Sequence, residues 1–87
     1  VRSALAERLR DESASVAREA ALGLARRRDA RAILFIARAI ETSDHEIEEA
    51  IDEITAPEML KDLMKAKREA GAPPGVDSLI ALCRARL

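Results

Sequence analysis

Displaced by 31 residues, the chain matches itself. Leu5 falls on Ile36, Leu9 on Ile40, Val16 on Ile47 and Ala20 on Ile51. Ser13 falls on Asp44, at the same point between the two apolar stretches. With 36% of the residues charged, four apolar coincidences at one offset point to two copies of one supersecondary unit. A unit this short cannot bury its apolar face alone and does so by stacking on its neighbour.

Composition says what the unit is made of. Eighteen residues are alanine, one is phenylalanine, and tyrosine and tryptophan are missing. Alanine is the best helix former, and strand formers are scarce. The spacing predicts six helices, over roughly 2–10, 14–28, 30–41, 43–54, 57–70 and 76–86. Their expected inward residues are Leu5 and Leu9; then Val16, Ala20, Gly23 and Leu24; then Ile33, Leu34, Ile36, Ala37 and Ile40. Ile47, Ala50, Ile51 and Ile54 follow, then Met59, Leu60, Leu63 and Met64, and last Leu79, Ile80, Leu82 and Cys83. Ser13 and Asp29 read as N-caps, and Ser43–Glu46 and Thr55–Glu58 as capping boxes, with Pro57 in a first turn. Gly71 reads as a C′ residue, and Pro73-Pro74 prevents continuation. Short loops make consecutive helices antiparallel neighbours.

The expected fold is therefore all-α, an α-solenoid of about three antiparallel helix pairs in one domain over 1–87. Repeat 1 covers about 2–28, repeat 2 about 30–55, and a degenerate repeat 3 about 57–87. The chain opens on Val1, which fits a processed protein or an excised piece. It is read as part of a longer array or as a minimal one.

The formal charge of −1 gives no global bias toward nucleic acid or membrane, but its distribution is uneven. Residues 1–40 carry nine arginines against five acids; 41–62 carry nine acids against Lys61; 63–87 carry five bases against two acids. The acidic middle is the strongest charge signal. One cysteine, Cys83, permits no internal disulfide and fits a reducing, cytoplasmic setting. The apolar run 32–37 is too short to span a membrane.

The stretch Leu9, Asp11-Glu12, Val16, Ala20-Ala21, Leu24 and Asp29 resembles the HEAT repeat, in the short bacterial form first noted in phycobilisome lyases. The resemblance is good over 4–54, where Asp44, Ile47, Ala50, Ile51 and Ile54 form the second copy, and weak beyond. The family usually has arginine where Ala17 stands and often leucine where Arg27 stands. It implies an α-α superhelix and, as for most of the family, a curved surface that binds another protein. Two other roles occur among HEAT-like proteins: nucleic-acid binding, as in alkylpurine DNA glycosylases, and service as an accessory to chromophore lyases.

Three features bear on function. Arg26-Arg27-Arg28 could contact phosphates. Equally, cations suit the last turn of a helix, next to free carbonyls, and consecutive residues point in different directions. The acidic helix presents His45, Glu48, Glu49 and Asp52 outward. Its like-charge i,i+4 pairs are mildly destabilising, and Arg18 or Arg28 is expected to face it; a merely solvated face is the plainer reading, and a basic partner docking there is the functional alternative. Ala14, Ala17, Ala21 and Ala25 form a small-residue strip on the expected outer side of the second helix, where a partner helix, a neighbouring repeat or a second copy forming a homo-oligomer could seat. Plain helix propensity accounts for the strip equally well. The resulting expectation is a non-enzymatic protein-interaction or scaffold module. Its partner would be another protein, held by Ala17, Arg18, Ala21, Arg28, His45, Glu48, Glu49 and Asp52. No catalytic residues, cofactor or metal are expected. The one His-Glu dipeptide, His45-Glu46, cannot rebuild the several that hold di-iron in the HEAT-like deoxyhypusine hydroxylases.

Overall fold

The computed structural model describes residues 2–42, 45–69 and 71–87, without the His45 side chain. Every regular element among them is helical. The α-helices are α1 (Arg2–Arg8), α2 (Ala14–Arg26), α3 (Ile33–Glu41), α4 (Glu48–Ile54), α5 (Leu60–Arg68) and α6 (Gly75–Ala85). Tight 3₁₀ turns, Ala30–Ala32, His45–Ile47 and Pro57–Met59, open α3, α4 and α5.

The helix boundaries follow the expected punctuation, but the caps are built differently. Asp29 caps as read, its carboxylate accepting from the Arg31 N–H at 3.0 Å. Ser13 stands at the N-cap of α2 without a side-chain cap bond; its own N–H donates to Asp11 at 2.8 Å. The Thr55–Glu58 box does not form. The Thr55 hydroxyl turns back to the Ile51 carbonyl at 2.7 Å, so Ala56 becomes the N-cap and Pro57 the first helical residue. The Ser43–Glu46 box falls on residues outside those described. Gly71 has the left-handed φ of 79°, but α5 has already ended at Arg68 with Glu69 extended.

One apolar cluster runs from α2 to α6, with Leu24, Ile36, Ile54, Leu63, Leu79 and Cys83 fully enclosed. α1 buries nothing completely and leans on α2, where Leu5 reaches the space a Gly23 side chain would fill, 3.1 Å from its Cβ position. α1 and α2 pack as a pair, and so do α5 and α6. α2 also lies along α4, the helices that the 31-residue offset makes equivalent. The middle pair departs from expectation: α3 packs mainly on α6 and little on α4. The cause is a close backbone crossing. A Cβ on Gly75 would stand 2.1 Å from the Ala37 carbonyl oxygen, so only glycine lets α6 approach α3 this far.

The alanine strip also departs from expectation. Ala17, Ala21 and Ala25 are buried, at 4%, 0% and 0% exposure, while Val16 and Gly23 are only partly covered. α2 touches α1, α3 and α4, so it buries a wide arc, and small side chains let a neighbouring helix come close. Leu82, expected inside, is 45% exposed.

Candidate functional site

The second-helix face is largely occupied by the chain's own contacts. Arg18 meets Glu46 at 2.7 Å. Arg26 meets Glu49 at 2.9 Å. Arg28 reaches Glu53 through Nη1 and Glu58 through Nε, the latter at 3.3 Å. The expected match between α2 cations and the acidic helix is therefore present, and it extends to Arg26. The Arg26 guanidinium is held above its ordinary pKa by its hydrogen bond to Glu49, and that of Arg28 by its bond to Glu53.

The end of α2 explains how consecutive arginines converge. Arg28 has φ 53°. Its N–H donates to Ala25 at 2.9 Å and that of Asp29 to Leu24 at 3.0 Å. These are the paired bonds of a Schellman ending, with arginine at the position that glycine normally takes. The left-handed turn swings Arg28 toward α4, the side Arg26 also faces. Arg27 folds back onto the Gly23 carbonyl at 2.9 Å, which accounts for the residue that the HEAT pattern leaves unexplained. Arg31 grips the buried Asp29 with two bonds, 3.0 and 2.8 Å. That hydrogen bonding holds the Asp29 carboxyl below its usual range and raises Arg31. All four arginines of the run 26–31 thus bond within the chain.

Of the residues expected to bind a partner, Ala17 and Ala21 are corrected: they are core, enclosed by neighbouring helices, and offer a partner or a second copy no surface. Arg18, Arg28 and Glu49 are held in ion pairs. Glu48 and Asp52 are exposed and make no ion pair among the described residues. His45 begins the turn before α4. No group of three or more metal-ligating side chains occurs among the described residues, and no described helix is long and apolar enough to cross a membrane.

A cleft that sequence reasoning passed over is lined from α1, α3 and α5. It has a volume of about 540 Å³. It is lined by Ile33, Leu34 and Phe35 of α3, by Ala6 of α1 and the following Leu9, and by Ala66 of α5. Leu34 and Phe35 are partly exposed. Arg10, Arg31 and Arg38 border the α1–α3 side; Asp62, Lys65 and Glu69 border the α5 side. The signal that could have found it was in the sequence: Leu34 and Phe35 extend the apolar arc of α3 beyond what one face can bury. The described residues thus form an all-helical fold with ion pairs between α2 and α4 and a trough of apolar and charged residues drawn from α1, α3 and α5. No protein family, curated protein or solved structure matches it.

Proposed function

We propose that the chain is a non-enzymatic protein-interaction module of HEAT-like build, and that its partner seats in the trough over α3. The side-by-side packing of α2 and α4, equivalent under the 31-residue offset, supports the repeat reading over the first four helices. The third pair then folds back, with α6 against α3. The observation that carries the function is the trough itself. A helical chain that leaves Leu34 and its only aromatic, Phe35, open in a cleft of about 540 Å³ offers the shape that recruits an amphipathic helix. The second-helix face is less open to a partner, because Ala17 and Ala21 are enclosed and the arginines there already hold carboxylates.

Selection of a displayed random-peptide library on the folded chain tests the proposal. The expected result is a consensus with apolar residues at helical spacing whose binding is lost in Leu34→Gln, a variant with unchanged circular dichroism. A consensus that binds Leu34→Gln undiminished, or is lost instead in Glu48→Arg, would overturn it, as would the absence of any consensus.

A further inference from the structure

We infer that the helix received by this trough is acidic along one flank, and that its charge fixes which way round it lies. The inference rests on the proposed docking role and adds the chemistry of the partner. The two borders of the trough differ in charge. On the α1–α3 side stand Arg10, Arg31 and Arg38, with no acid among the lining residues. On the α5 side Lys65 stands between Asp62 and Glu69.

Arg31 is tied to Asp29, but Arg10 and Arg38 make no ion pair among the described residues, whereas Arg18, Arg26, Arg28 and Lys67 each do. Two of the three arginines at the trough are thus left without a carboxylate of the described chain, while Arg18, Arg26 and Arg28 along α2 hold theirs. An approaching helix would set its apolar face on Leu34 and Phe35. Its carboxylates would flank Arg10 and Arg38, and any lysine would turn toward Asp62 and Glu69. Small residues at Ala6 and Ala66 leave room for close approach. A helix of about 16 residues is roughly 24 Å long, close to the shorter extents of a molecule measuring 33 × 25 × 25 Å.

The test uses the full chain and two synthetic amphipathic peptides of about that length. They share one leucine face and carry either glutamates or lysines along the flank. Fluorescence anisotropy measures affinity, and amide shifts locate the site. The glutamate peptide is expected to bind about tenfold tighter than the lysine peptide at low salt, with shifts centred on Phe35 and Arg38. Arg10→Glu and Arg38→Glu, both exposed positions, should each remove most of that preference, while Arg84→Glu on α6 should not. Equal binding of both peptides at the trough leaves the docking role standing and overturns the acidic partner. No saturable binding of either peptide overturns both. Tighter binding of a single-stranded oligonucleotide through the same arginines overturns the acidic helix in favour of a phosphate backbone.

Discussion

Arg28 holds a left-handed backbone at a helix end where glycine is the usual occupant. A non-glycine residue pays roughly 1–2 kcal/mol for that conformation, and here the side chain it carries lands on Glu53 and Glu58. Arg28→Gly and Arg28→Ala lose the same carboxylate contacts but differ in backbone freedom. Arg28→Ala is expected to be less stable than Arg28→Gly by about 1 kcal/mol, read from urea midpoints at equal slope. Its neighbour Asp29 has a folded-state pKa below its unfolded value, chiefly through Arg31. The stabilisation is complete above the unfolded pKa and is lost as pH falls through the folded one. Wild-type stability should therefore drop below about pH 4. Asp29→Asn should lose stability at neutral pH and show a shallower acid limb in thermal melts.

The close crossing of α3 and α6 depends on Gly75 having no side chain. Gly75→Ala forces the two backbones apart and is expected to cost at least 1–3 kcal/mol, seen as a lower melting temperature with α6 amides exchanging faster. Gly71→Ala is the contrast. Nothing lies within 4 Å of its Cβ position, so its effect comes from the φ of 79° alone. These glycines also mark how far the sequence could be read. Six helices and their approximate ends follow from apolar period and from Asp29, Pro57 and Pro73-Pro74, because those signals are local. That Gly75 begins a helix at a backbone contact, and does not end a loop, is decided by Ala37, nearly 40 residues away. The fate of the alanine strip was equally hidden. Alanine suits an exposed helix face and a tight interface alike, and only the number of helices around α2 tells them apart. The Arg28–α4 pairing was legible because uncompensated acids on one helix demand cations from the next. The trough was not, since its walls come from three separated segments.

At the scale of the whole molecule, ion pairs join α2 to α4, while Arg10 and Arg38 at the trough have no paired carboxylate among the described residues. Exposed ion pairs are screened over about 10 Å at 0.1 M salt, so added sodium chloride should lower the melting temperature of the wild type. The double substitution Glu49→Gln with Glu53→Gln should flatten that dependence; an unchanged salt slope would show that these ion pairs contribute nothing measurable. At the centre of the same molecule, the Cys83 thiol has no exposure and lies 3.4 Å from the Ala56 carbonyl, joining α6 to the segment between α4 and α5. It is also the only sulfhydryl in the chain. A thiol reagent can reach it only when α6 lifts from α3 and α5, so the rate of labelling counts such openings one molecule at a time. The protein carries its own clock for the breathing of its core. Any ligand that clamps the trough across α3 and α5 should slow that clock, whether or not it changes the average structure.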